Sequence, residues 1–565
     1  MAASLSSMKT AMYRHENGLK HINIINNEGF SALFVVKTPI FDNSGVAHGV
    51  EHGVFRRSSS FPQPETLFQL TSLTDAKINA STFVDSTYFH CQSQCADTFN
   101  LAIEYLLSGL FTPIFDKEYL SCEVYDGQSK DKDKAKGVIY RELIGIEQAS
   151  KASAKSARSD ESENSEESNS KDEFNYGGVS STIGDLTLKE IRAFHQRFYQ
   201  ASNITLVTAN ADIENISTLI SRLSVQVSQA QTSQAQNNQN HSLKNKANVE
   251  IKKTSKNRGD NNETERYQAK YSPAINTLIN AYYLTLNTAN CLHFEQYKSV
   301  EDEALTVDIK GQVKAESKLN LKLKPKSKII QIEKAAQTAK AGVIAPLVSL
   351  ADKISDAVNA EQTFDTSAEI SVGSSADTSP VKRSKAESAS QPLPKLFTSL
   401  CLKAKQQFVL NHSANKNLTS KELSQNEHQK SHTKAVSVYD QHNALWLIKI
   451  SKKEPAIANI TSYILSAYPA FIARRCEGFC YAIQALTIED SAYLAINSAF
   501  DVAPVEQINT ISPCLLTLSE DMAFISQSLA LAKIKYGRVH QVTNRNVADL
   551  SPENIVGYLQ RIAKD

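Results

Sequence analysis

No stretch of this sequence approaches the roughly 18 consecutive apolar residues that a membrane-spanning helix needs, so no span is expected. Neither sign of charge prevails: 61 Lys and Arg stand against 60 Asp and Glu. Such a balance gives no electrostatic reason to expect a nucleic acid or an anionic membrane as partner. The first twenty residues lack the continuous apolar core of a secretory signal. They are Ser-rich and acid-poor like a transit peptide, but a strand-like pattern follows almost at once. The eight cysteines include no C-x-x-C pair and no dense framework. Reduced, mostly buried thiols in a cytoplasmic setting are the simplest expectation, with an organelle matrix as the alternative. Cys476 and Cys480 leave a redox-active pair open.

What is present is a chain longer than one ordinary domain, with enough apolar residues for a globular core. Residues 1–225 read as an N-terminal α/β domain. The patterns LKHINIIN (19–26) and SALFVVKT (31–38) predict two strands joined by a turn at Asn27–Gly29. Residues 44–57, 64–73, 96–111, 137–149 and 187–200 carry helical apolar spacing, and 78–83, 86–94 and 203–210 carry strand patterns. Residues 150–173 have almost nothing to bury and read as a mobile loop. Residues 226–434 are mostly polar and of low complexity, either a linker or a degenerate middle domain. Apolar islands interrupt them at 275–286 and 341–354. Residues 435–565 read as a C-terminal α/β domain of related architecture. It has a strand at 444–450, one helix over 457–475, a hairpin from 480–486 and 492–500, and helices at 520–537 and 551–563. The expected fold class is α+β, with helices packed on mixed or antiparallel sheets and a partly disordered middle.

Chemistry concentrates in His48-Gly49-Val50-Glu51-His52. Histidines at i and i+4 stand one turn apart on one helix face, where both imidazoles reach a single ion. Zinc needs a third protein ligand, for which Glu142 on a separate predicted helix is the best candidate. A dication so held lowers the pKa of a water it carries to about 7, and Glu51 is then available as the general base. The plain alternative is a surface helix that merely carries two histidines and a glutamate.

The neighbouring residues add context. Thr38-Pro39 and Ser44-Gly45-Val46 lead into the histidine motif, and NASTFVDSTYF begins at Asn79. Gly137-Val138-Ile139-Tyr140-Arg141-Glu142 follows, and LTLKEIRAFHQRFYQASN ends at Asn203. Four segments in this order and spacing resemble the pitrilysin/insulinase superfamily of zinc metallopeptidases, specifically its presequence-protease branch. The resemblance implies α/β sandwich domains and one zinc per chain held by His48, His52 and Glu142, with Glu51 as base. It also implies that Asn79 and Ala80 lie on an edge strand that pairs with an extended peptide. Arg475, Gly478 and Tyr481 match the family's R-x-x-G-x-x-Y in a distant domain. That match implies an arginine holding a substrate carbonyl and a tyrosine stabilising the oxyanion. An arginine ending a helix and a tyrosine opening a strand are also commonplace on structural grounds.

Departures stand beside the matches. Family enzymes of this branch are far longer, with four related domains forming two halves around a closed chamber. The asparagine before the ligand glutamate is Arg141 here, and polar insertions (126–136, 150–173) flank the metal helix. The expected function is a zinc-dependent endopeptidase acting on short unfolded peptides, with a partner chain or a homodimer left open. The alternative is a non-catalytic peptide-binding or assembly subunit that has kept the fold.

Overall fold

The structure is a computed structural model. It describes residues 10–25, 29–128, 134–157, 176–223, 271–289, 305–307, 313–314, 397–416, 435–451, 454–489, 492–541 and 545–564. Most of the polar middle expected over 226–434, its island at 341–354 included, lies outside these residues, as does Cys291.

The alternating pattern at 30–37 becomes β3 (Phe30–Lys37), which is buried on both faces. Ala32, Phe34 and Val36 enter one apolar cluster, while Leu33 and Val35 enter another. A strand covered on both sides reads as a near-continuous apolar run. With it run β1 (Thr10–Arg14), β2 (Lys20–Ile24), β4 (Lys77–Thr82), β5 (Ser86–Ser93), β6 (Ile204–Ala209), β7 (Leu305–Val307) and β8 (Val313–Lys314), in the order β4-β5-β3-β6-β2-β1-β7-β8. The sheet is mixed, because β2 and β6 are parallel while β3 is antiparallel to both β5 and β6. The two strands expected at 19–26 and 31–38 exist, but they are not neighbours, since β6 lies between them. That slot goes to a strand that is apolar on both faces: Ile204 and Leu206 serve one cluster, Val207 and Ala209 the other.

On one face of this sheet lie α1 (Val46–Arg56), α2 (Thr66–Leu73), α3 (Ala96–Phe111), α4 (Val138–Ala157) and α5 (Leu188–Phe198). Helix α3 buries Phe99, Ala102, Ile103, Leu106 and Leu110, spaced at three and four residues as a core-facing stripe requires. Helix α5 starts at a capping box in which Thr187 and Glu190 satisfy each other's backbone N–H groups. Residues 150–157, expected as loop, continue α4 by two turns, while 158–173 lie outside the described residues. The opposite face is covered by α6 (Pro273–Ala289), which comes from the apolar island of the middle region and buries Ile275, Leu278 and Ile279.

The C-terminal sheet contains β9 (Ala435–Tyr439), β10 (Ala444–Lys449), β11 (Ala482–Ile488) and β12 (Tyr493–Ala499), all antiparallel, in the order β11-β12-β10-β9. Helix α7 (Thr398–Lys416) lies against its outer face. The single helix expected over 457–475 is two: α8 (Pro455–Ala467) and α9 (Pro469–Cys476), bent by 49°. Pro469 donates no N–H and holds Tyr468 extended, so α8 ends there. Helix α10 (Pro504–Glu520) carries no counterpart in the sequence reading. It is followed by α11 (Met522–His540) and α12 (Pro552–Ile562), the last capped by Ser551 with Asn554 as reciprocal partner. Among the described residues no single helix is long and apolar enough to cross a membrane. Seven described cysteines are free thiols, with Cys91, Cys401, Cys476 and Cys480 buried.

The two sheets do not stand apart. One apolar cluster runs from Phe34, Val50 and Phe99 through to Ile464, Phe471 and Leu559. Polar contacts cross the same boundary. Lys535 Nζ donates to the Thr71 and Ser72 carbonyls at 2.8 and 2.9 Å, and Arg538 pairs with Asp75 at 3.0 Å. Arg141, fully buried, donates to the carbonyls of Phe500 (2.8 Å) and Asp501 (3.2 Å).

Candidate functional site

Helix α1 begins after Gly45, whose φ of +74° is one that L side chains rarely adopt. A Cβ at Gly178, itself at φ +82°, would meet Gly45 Cα at 2.6 Å, so only paired glycines let segment 176–180 come this near. The near approach places the Gly177 carbonyl against His48 Nδ1 at 2.9 Å. A carbonyl oxygen only accepts, so Nδ1 carries the proton and the neutral ring keeps its lone pair on Nε2. His52, one turn on, is held alike: its Nδ1 lies 2.9 Å from Glu123 Oε1.

Both Nε2 atoms face the same point, 3.2 Å apart, and Glu142 on α4 brings its Oε2 within 3.3 Å of one and 3.5 Å of the other. Two lone pairs and a carboxylate oxygen cannot satisfy one another. Glu142 Oε2 is indeed buried with no hydrogen-bond partner. A tetrahedral ion with ligands at about 2.1 Å sets neighbouring ligand atoms roughly 3.4 Å apart, so the spacing and donor types fit zinc. Among the described residues these are the His, Cys, Asp or Glu side chains grouped so as to hold a metal.

The electrostatics agree in sign. Burial alone would depress the His48 and His52 imidazoles, yet the carboxylates outweigh it. Glu142 raises His48, and Glu123 with Glu142 pushes His52 up to about 9. Burial would raise Glu142, but the two imidazoles beside it hold it well below the usual carboxylate range. The cluster thus carries a negative excess that a cation or protons must neutralise.

The remaining expected residues line the same cleft, a cavity of about 430 Å³. Glu51 is buried beside the histidines and accepts a hydrogen bond from the Thr82 hydroxyl. Asn79 and Ala80 lie on β4, the terminal strand of its sheet, where the Asn79 side chain accepts from the Ala80 N–H at 2.9 Å. Tyr481 comes from the C-terminal region. The nearby Glu142 charge, then burial, pushes its phenol well above the ordinary value, so it stays a neutral donor. Arg475 also lines the cleft, but its two terminal nitrogens face Glu123 at 3.0 and 3.3 Å.

Glu123 is the functional residue that the sequence reading missed. It sits in a π-helical turn (Leu120–Val124), a wide turn that recurs at functional sites. It is a lone acidic residue 71 positions from His52, and no motif marks it. The Gly177 carbonyl was equally invisible, since any residue supplies one.

The insulinase (peptidase family M16) model matches residues 41–155, which include His48, Glu51, His52 and Glu142. An uncharacterized protein of Borreliella burgdorferi is 28% identical over 195 residues, 34% of this chain and 20% of that protein. Presequence protease 1, chloroplastic/mitochondrial, of Arabidopsis thaliana is 25% identical over 203 residues, 34% of this chain and 18% of that protein. The matched part therefore spans about a fifth of these relatives' length. Among solved structures, pitrilysin aligns over 38% of this chain and 23% of its own, at 18% identity and a TM-score of 0.29. Over the matched residues the chain is similar to the insulinase (M16) peptidases, as a divergent match to part of its length.

Proposed function

We propose that this protein is a zinc-dependent endopeptidase that hydrolyses short, extended peptides. The observation that carries this reading is the convergence of His48 Nε2, His52 Nε2 and Glu142 Oε2 on one point, with both Nδ1 protons committed elsewhere. When bound, zinc supplies Lewis-acid chemistry, polarising a carbonyl and acidifying water.

The protein's own groups do the rest. The open edge of β4 offers backbone N–H and C=O groups to a peptide main chain regardless of its side chains. Glu51, oriented by the Thr82 hydroxyl, takes the proton from the water that attacks the scissile carbonyl and returns it to the leaving nitrogen. The Tyr481 hydroxyl, which lines the same cleft, donates to the oxygen on which negative charge develops.

The test pairs metal analysis with cleavage of an unstructured fluorogenic peptide, with and without a chelator. Glu51→Gln should retain one zinc while kcat falls by roughly 10²–10⁴-fold, the usual range for a general base. His48→Ala should lose zinc and turnover together. A wild type that binds no zinc, or a Glu51→Gln protein with normal turnover, would overturn the reading. Zinc bound without cleavage would favour the peptide-binding subunit instead.

A further inference from the structure

We infer that Arg475 is a positioning residue for His52, acting through Glu123. The C-terminal region then sets the metal affinity of a site whose donor atoms all lie in the N-terminal region. This rests on the zinc reading above.

Every lone-pair direction of Glu123 that the cleft uses is taken by a named donor. Oε1 accepts from His52 Nδ1 at 2.9 Å and from Arg475 Nη2 at 3.0 Å; Oε2 accepts from Arg475 Nη1 at 3.3 Å and from Arg56 Nη1 at 3.2 Å. The two-pronged contact is the guanidinium–carboxylate fork, which fixes the plane of the carboxylate as well as its position. Glu123 is only 3% exposed, so water cannot readily replace a lost donor.

The backbone bolts the two partners together. Gly478, at φ +81°, lies so close to the Glu123 turn that a Cβ there would meet the Cys122 carbonyl at 2.4 Å. Its own carbonyl accepts from Gly137 N at 2.9 Å. Arg56, on the same helix as His52, donates to the Cys476 carbonyl at 2.8 Å, next to Arg475. The arginine therefore reaches Glu123 from a braced turn.

Its guanidinium faces a carboxylate that already holds a metal histidine, which is a different task from gripping a substrate carbonyl. Without that fork, Glu123 keeps one guanidinium and can rotate away from Nδ1. The His52 ring then loses the bond that fixes its tautomer and aims Nε2.

The test measures zinc affinity in the full chain by competition with a chromophoric chelator, for wild type, Arg475→Gln, Glu123→Gln and the double variant. Each single change should weaken zinc by roughly 10–100-fold, the range for loss of a group that orients a ligand. The double variant should be no weaker than Glu123→Gln alone, because both act on one bond. Arg475→Lys, which keeps the charge without the fork, should fall in between, and it carries the test if Arg475→Gln proves too unstable in thermal melts. Unchanged zinc affinity in Arg475→Gln with a raised KM would overturn the inference in favour of substrate holding, as would effects that simply add. A wild type without zinc would overturn the zinc reading itself, which is a separate result.

Discussion

The two sheets repeat one plan. In the N-terminal region the chain runs β3, α1, α2, β4, β5, α3, and the strands lie in the order β4-β5-β3; in the C-terminal region it runs β10, α8, α9, β11, β12, α10, and the strands lie in the order β11-β12-β10. Each central strand feeds two clusters, Phe34 and Val36 against Leu33 and Val35 in β3, Trp446 and Ile448 against Leu445 and Leu447 in β10. Each sheet also has its far face covered by a helix from the polar middle, α6 in one case and α7 in the other.

The corresponding helices α1 and α8 differ in what they do with buried polar groups. Helix α8 buries Asn459, Thr461, Ser462 and Ser466, and all but the Thr461 hydroxyl find a partner nearby. Asn459 bonds the Pro455 carbonyl at 2.8 Å and Thr487 at 2.5 Å, Ser462 bonds the Asn459 carbonyl, and Ser466 bonds both N–H and C=O of Ala485. Helix α1 instead buries His48 and Glu51 and leaves two imidazole lone pairs aimed at an orphaned carboxylate oxygen. A buried polar group with its partners supplied by the fold is architecture. Three donor atoms left converging on one point, rather than a single orphaned atom, point to a ligand. The same plan thus serves as scaffold in one region and as site in the other.

Two substitutions sharpen that contrast by reversing each other's effects. Glu142→Ala should abolish zinc retention outright, read by metal analysis after gel filtration. Asn459→Ala should leave zinc content at the wild-type level and cost about 1–3 kcal/mol of stability, the penalty for leaving Thr487 and the Pro455 carbonyl short of a partner. Zinc loss in the second protein would break the distinction. The largest effect on stability lies at the boundary. Arg141→Ala removes the largest fully buried side chain among the described residues, leaving the Phe500 and Asp501 carbonyls unmet and a cavity behind. A loss on the order of 3–4 kcal/mol in denaturant unfolding is expected. A loss under about 1 kcal/mol would mean that the two regions do not depend on this contact.

What was legible in the sequence follows from which interactions are local. The spacing of His48 and His52 and the apolar stripe of α3 are encoded within a few residues, and each appears where the pattern predicts it. Strand adjacency is not encoded that way. Residues 19–26 and 31–38 look like a hairpin until β6, from far along the chain, takes the place between them. The break at Pro469 was legible in principle, but the apolar run across Tyr468 carried the reading through it. Glu123 and the Gly177 carbonyl could not be read at all, because their role depends on turns that only the fold brings to the histidines.

The smallest effects test how tightly each region's helices must cross. A Cβ on Gly109 of α3 would meet the Val54 carbonyl of α1 at 2.2 Å, so Gly109→Ala must push apart the helix that carries both histidines. Overpacking of this kind costs about 1–3 kcal/mol, and a fall in zinc affinity should accompany it because Val54 lies just beyond His52. Gly557 of α12 has nothing within 4 Å of its Cβ position. There Ala only removes the conformational freedom that glycine adds to the unfolded chain, so Gly557→Ala should stabilise the protein by roughly 0.5–1 kcal/mol with zinc binding untouched. The two substitutions are chemically identical and should differ in sign. If both destabilised the protein, α12 would have to meet a neighbour at Gly557, and the C-terminal helices would be packed as closely as those around the histidines.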